Sequence, residues 1–142
     1  MRFFDRGSEL KTLRKTVLLL ACAALLAGCQ ESLEERAARE AREVTENKCP
    51  MLVNTDLMLD SIVFDIPTLT QTQYFRFFGE SDHDSLRIDP YNAKSQLVDE
   101  LKSAPSYKPL VERGITFRYI YRSTKNKEKV YLDVLLTQKD YQ

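Results

Sequence analysis

Glycine and proline are scarce in this 142-residue chain, four and five respectively, and histidine occurs once. So few glycines leave no collagen-like or linker-rich architecture, and the chain has no glycine-rich phosphate-binding loop. It has no GxSxG turn of the kind that exposes a nucleophilic serine. Charge of one sign is also missing: 21 basic and 21 acidic side chains cancel, which removes the electrostatic reason to expect nucleic acid as a partner. The apolar run from residue 17 to residue 27 is eleven residues long. A helix needs about 20 apolar residues to cross a bilayer, so this run is too short for a permanent span. What remains is 43% apolar and 30% charged, ordinary for a soluble globular chain that forms one domain.

The short apolar run has a context. Arg2, Arg6, Lys11, Arg14 and Lys15 precede it, against only Asp5 and Glu9. A positive segment followed by an apolar core of 7–15 residues is the pattern of an export signal. The run ends in Leu26, Ala27, Gly28 and Cys29. These four residues resemble the lipobox of bacterial lipoproteins: a branched apolar residue, two small residues and the cysteine. The resemblance covers roughly the first 30 residues. It implies that Cys29 carries a diacylglyceryl thioether, that the bond between Gly28 and Cys29 is cut, and that residues 1–28 are removed. It also implies that a residue other than Asp after the cysteine, here Gln30, allows passage to the outer membrane, facing the periplasm. Several acyl chains, each contributing about 0.8 kcal/mol per buried methylene, make such an anchor stable.

Processing leaves 16 basic and 19 acidic side chains and one free thiol, Cys49. No intramolecular disulfide is then possible, and Cys49 is expected to be buried or half-buried, with an intermolecular disulfide as the alternative.

Residues 31–47 are rich in Ala, Glu and Arg, good helix formers without a Gly or Pro among them. Their only apolar stripe, Leu33, Ala37, Ala41 and Val44, is narrow and mostly methyl-sized. The expectation is a charged, solvated lead-in helix that acts as a spacer of about 25 Å, so that residues 29–48 form the lipidated N-terminus and spacer. Pro50 closes it, and a small domain follows over residues 49–142.

In that domain, residues 57–66 read as a strand with Ile62, Phe64 and Ile66 on the buried face. Residues 72–79 read as a second, with Phe75 and Phe77 turned inward. Asp89 and Pro90 make a good helix start, and Ala93, Leu97, Val98, Leu101 and Ala104 share one face of the helix that follows. A short second helix over 106–113 ends at Gly114. Ile115, Phe117, Tyr119 and Tyr121 alternate with Thr116, Arg118, Ile120 and Arg122, and Val130, Leu132, Val134 and Leu136 with Tyr131, Asp133 and Leu135, giving two more strands. The order ββαββ predicts a two-layer α+β fold, a four-stranded antiparallel sheet packed on a helix.

Candidate sites are few. Glu80, Asp82, His83, Asp84 and Asp89 form the one polar cluster, which reads as a solvated turn: ligands at EF-hand offsets are missing, and one histidine with a distant thiol is too little for zinc. No metal, no cofactor and no catalytic residue are expected. Nine of the twelve aromatic residues after residue 28 lie on the four strands. One sheet face takes Phe64, Phe75, Phe77, Phe117, Tyr119 and Tyr121 for the core. The other shows Tyr74, Arg76, Phe78, Arg118, Ile120 and Arg122, residue types enriched in protein interfaces.

The sequence therefore describes a non-enzymatic lipoprotein of the bacterial envelope, anchored through Cys29, whose domain binds another envelope protein. Two other readings stay open. One is an inhibitor or immunity-type lipoprotein against an envelope hydrolase. The other is a small-ligand binding module with a pocket lined by Leu97, Val98 and Leu101.

Overall fold

The computed structural model describes residues 30–142. The expected export signal, its cleavage site and Cys29 lie outside the described residues. From Leu33 to Gln142 the chain is one compact unit.

Helix α1 spans Leu33–Lys48. It is not a free spacer. Ala37 and Ala41 are buried in the hydrophobic core, and Leu33 and Ala38 pack against it. The narrow methyl stripe is what permits this, because small side chains let the helix backbone approach the sheet closely. Arg113 Nε, 79 residues later in the chain, donates to Glu34 at 2.7 Å. The folded unit thus begins at Leu33, sixteen residues before the boundary suggested by Pro50.

Five strands follow, one more than the sequence reading found: β1 Met51–Asn54, β2 Leu57–Asp65, β3 Thr70–Phe77, β4 Thr116–Ser123 and β5 Val130–Leu136. They pair in the order β1-β2-β3-β4-β5. Strand β1 was hidden because it has four exposed residues and turns into β2 through Thr55-Asp56, a pair without the Asn-Gly or Asp-Gly signal.

All pairs are antiparallel except β3 with β4, which run parallel. The fully antiparallel expectation fails here for a reason of connectivity. Helices α2 (Pro90–Ser103) and α3 (Lys108–Arg113) lie between β3 and β4 and carry the chain back to the starting end, so Thr116 sits level with Thr70. The local signals behave as expected. Asp89 caps α2 by accepting from Tyr91 N at 3.1 Å, with Pro90 in the first turn. Gly114 takes φ 79° at the end of α3.

A bulge sets the faces of β2. Leu59 pairs with Phe75 and Ser61 with Tyr74, leaving Asp60 without a partner opposite. The extra residue resets the alternation, so Leu57 and Leu59 before it and Ile62 and Phe64 after it all belong to the core side. Ile66, expected on that face, lies beyond the strand and is 41% exposed. A short last helix, α4 (Gln138–Tyr141), folds under the sheet's end: Tyr141 is buried, its hydroxyl donates to Ile115 O at 2.5 Å, and its ring meets Phe117 edge-on.

Beyond Met51 and Leu59 the outer edge of β2 has no strand beside it. Thr45 of α1 fills that place: its hydroxyl accepts from Ile62 N at 2.8 Å and donates to Ile62 O at 2.9 Å. Thr45→Val, similar in shape, leaves both backbone groups without this partner and is expected to cost about 1–3 kcal/mol in urea denaturation. A cost below about 0.5 kcal/mol would mean that water replaces the hydroxyl freely.

Candidate functional site

Helices α1, α2 and α3 lie on one side of the sheet, but they do not close over it. Between α2 and β1 a cleft of about 620 Å³ remains open. Its floor is Leu57 of β2, Phe75 and Phe77 of β3, Tyr119 and Tyr121 of β4, and Leu132 of β5. Strand alternation puts these residues on the helix side, which is why the same aromatic residues read as core from sequence. One wall is the face of α2 carrying Ala93, Gln96, Leu97, Glu100 and Leu101, joined by Ile88 from the preceding loop. The other is Val53 and Asn54 of β1.

The floor is ordered by its rings. Phe75 stacks on Tyr121 at 4.8 Å between centroids, and Phe77 tilts onto Tyr121 at 6.0 Å and meets Tyr131 edge-on at 5.6 Å. Burial pushes the Tyr121 hydroxyl up to about 12, with the Glu100 carboxylate adding to the effect. Tyr119 is raised further by burial, then by Tyr107, Tyr121 and Glu100. Both phenols therefore stay neutral at physiological pH. A second cleft, about 390 Å³, runs between α1 and α3 over Ile62 and Gln71; Tyr107 lines both, and its oxygen accepts from Gln73 Nε2 at 2.9 Å.

The surface expected from sequence lies on the opposite side. Strand register gathers Tyr74, Arg76, Arg118, Ile120 and Arg122 on the face that none of the described helices covers, while Phe78 lies past the end of β3, tied through its N–H to Asp56 O. Two of the arginines are already engaged within the sheet. Arg76 Nε bonds Asp60 at 2.6 Å, and Arg118 grips Asp133 with two bonds of 2.8 and 2.5 Å. That grip holds the Asp133 carboxyl below its usual range. Ile120, expected to be available to a partner, is only 3% exposed. It sits between Tyr74 and Asp133 on the adjacent strands, with Arg118 and Arg122 two positions away on its own strand. The face is therefore largely a set of cross-strand pairs.

The acidic cluster after β3 also differs from expectation. Asp82 is 1% exposed rather than solvated. Its Oδ2 accepts from Thr124 N at 2.9 Å and Lys125 N at 2.8 Å, and its Oδ1 from Tyr131 OH at 2.8 Å. Burial alone would raise its pKa, but hydrogen bonds from Ser123, Lys125, Tyr131 and Thr124 outweigh that and bring it down to about 2. Protein donors thus fill this carboxylate, which fastens the β4–β5 turn to the loop after β3. Lys129 completes the fastening, bonding Asp84 at 3.1 Å while lying over the Tyr131 ring. His83 remains exposed beside Ser85. Among the described residues no three His, Cys, Asp or Glu side chains are placed to hold a metal ion. Cys49 is half-buried and free, its thiol pushed up by burial and by Asp60.

The sequence reading keeps open a pocket lined by Leu97, Val98 and Leu101; Leu97 and Leu101 do line the cleft and Val98 does not. The inward aromatic residues are assigned from sequence to filled core but form the floor of this cleft. The signals that could have found it were the exposed apolar run Met51-Leu52-Val53 and the polar Gln96 and Glu100 flanking Leu97 on α2.

The fold occurs in three solved structures of low sequence identity. A Pseudomonas aeruginosa protein described as secreted is 16% identical, with a TM-score of 0.60 over 80% of this chain and 100% of that one. The pilotin EpsS of the Vibrio vulnificus type 2 secretion system is 14% identical, with a TM-score of 0.59 over 78% and 92%. The type II secretion pilotin AspS of Vibrio cholerae is 17% identical, with a TM-score of 0.55 over 81% and 97%. No curated protein matches the chain. Residues 32–132, from just before α1 into β5, match the family described as Domain of unknown function (DUF8479), and this chain belongs to that family.

Proposed function

We propose that this chain is a lipid-anchored protein of the bacterial cell envelope that performs no chemistry and binds another envelope protein in the cleft between α2 and β1. Its role is of the kind that the type II secretion pilotins sharing its fold exemplify. The lipobox-like Leu26-Ala27-Gly28-Cys29 supports export and anchoring at Cys29, and Gln30 supports the outer membrane. The observation that carries the binding reading is the cleft itself. An aromatic and aliphatic floor, partly exposed at Phe77 and Tyr121 and edged by Asn54, Gln96 and Glu100, offers an apolar segment of a partner a seat with polar groups at the rim.

The outer face, with Tyr74, Arg76, Phe78, Arg118, Ile120 and Arg122, is the second reading, weakened by its internal ion pairs. One experiment separates the two. Lipidated wild-type protein captured from solubilised membranes is expected to bring down an envelope protein. Val53→Glu, which puts charge into an exposed cleft wall, is expected to lower its recovery about tenfold or more while thermal unfolding is unchanged. Arg122→Glu is expected to leave recovery intact. The opposite pattern would move the site to the outer face.

A further inference from the structure

We propose that the end of the sheet bearing the β2–β3 turn rests on the lipid bilayer, with the Ile66-Pro67 tip in the headgroup layer, so that the cleft opens away from the membrane. The proposal rests on Cys29 as the lipid attachment point. Cys29 is four residues before Leu33, and four residues span at most about 14 Å. Because α1 is docked on the sheet, that tether starts at the first turn of α1. The ion pair between Glu34 and Arg113 places this turn of helix beside the end of α3, and Arg113 leads through Gly114 into β4. Thr116 of β4 pairs with Thr70, and Thr70 with Asp65, so the tether and the β2–β3 turn share one end of the molecule.

At that end Ile66 and Pro67 point outward from a turn that is held internally. Asp65 accepts from Thr68 N at 3.1 Å, and Leu69 N donates to Ile66 O at 3.2 Å. Single exposed apolar residues are common on any surface. A tether this short changes their meaning, because it keeps the local lipid concentration so high that a weak contact suffices. The opposite end carries the turn Thr124-Lys125-Asn126-Lys127-Glu128-Lys129, which suits water, and Val53 and Ile88 bring the cleft to that half.

The chain contains no tryptophan, so a single introduced indole reports its own surroundings. The mature lipidated variants Ile66→Trp and Lys127→Trp, beginning at Cys29, would be placed in vesicles of dibrominated phosphatidylcholine and, for comparison, in unbrominated ones. The expected result is strong loss of fluorescence at position 66 and none at position 127. Equal loss at both positions, loss at neither, or greater loss at 127 would overturn the proposal. Pro67→Trp replaces Ile66→Trp if that variant does not fold. Flotation of the same samples separates the two levels of the argument. Protein that floats without the expected pattern defeats this orientation alone, whereas protein that floats no better than its Cys29→Ser variant defeats the anchor and the orientation together.

Discussion

Replacing Asp82 with alanine is expected to destabilise the domain by about 3–5 kcal/mol, a large part of what a domain of this size has. The substitution takes the acceptor from Thr124 N, Lys125 N and Tyr131 OH at once, at a side chain that is only 1% exposed. Asp82→Asn keeps an oxygen for the two backbone donors and presents an amide to the tyrosine hydroxyl, which can turn to accept from it. Its cost is expected to be smaller, about 1–2 kcal/mol. The pH dependence follows from the lowered pKa. A carboxyl that titrates near 2 in the folded protein and near its ordinary 3.8 in the unfolded chain stabilises the fold fully above about pH 5. That contribution, about 2 kcal/mol, is lost as the pH falls through 4 toward 2. Asp133 and Asp140, also lowered, act in the same direction. Urea denaturation at pH 7 and pH 3 should therefore show a wild-type loss that Asp82→Asn reduces. An Asp82→Ala protein as stable as wild type, or an acid loss of the same size in Asp82→Asn, would show that the carboxylate does not fasten the turn.

Ala41→Glu is expected to cost about 3 kcal/mol or more, because it drives a carboxylate into the contact between α1 and the sheet. The neighbouring Arg42→Glu, on the exposed side of the same helix, should stay within about 0.5 kcal/mol. Removing residues 33–48 should leave a chain without cooperative thermal unfolding, since Ala37 and Ala41 are part of the core and Thr45 satisfies Ile62. A spacer helix predicts the reverse: both glutamates tolerated alike, and a domain starting at residue 49 that folds. The family match beginning at residue 32 agrees with an integral helix.

The error over α1 shows what periodicity can and cannot tell. Helix formation was legible in the Ala, Glu and Arg composition of residues 31–47. Whether that helix stands free depends on what faces its stripe, and methyl groups suit close packing on a sheet as well as they suit solvation. The same limit applies to Asp82. Nothing local distinguishes it from Asp84, which is two residues away and exposed; the difference is made by Thr124, Lys125 and Tyr131, more than forty residues later. Ile120 was read correctly as facing away from Phe117 and Tyr119, but its burial is set by Tyr74 and Asp133 on adjacent strands.

The candidate cleft was half legible. Its floor residues were assigned to the inner face from alternation alone, and Leu97 and Leu101 to the inner side of α2. That the helix leaves part of this face uncovered depends on where α2 crosses the sheet, which is fixed by the loops and by contacts with β5 and α4, such as Lys94 with Asp140 at 2.9 Å.

What the residues determined unaided are the features whose causes are local: the capped start of α2 at Asp89-Pro90, the Gly114 stop, the alternating strands and the α+β class. Tertiary structure alone decided the parallel pairing of β3 with β4, the docking of α1, the burial of Asp82 and the open cleft. Each of these depends on surfaces brought together from distant parts of the chain, and their free energies appear only when those surfaces meet.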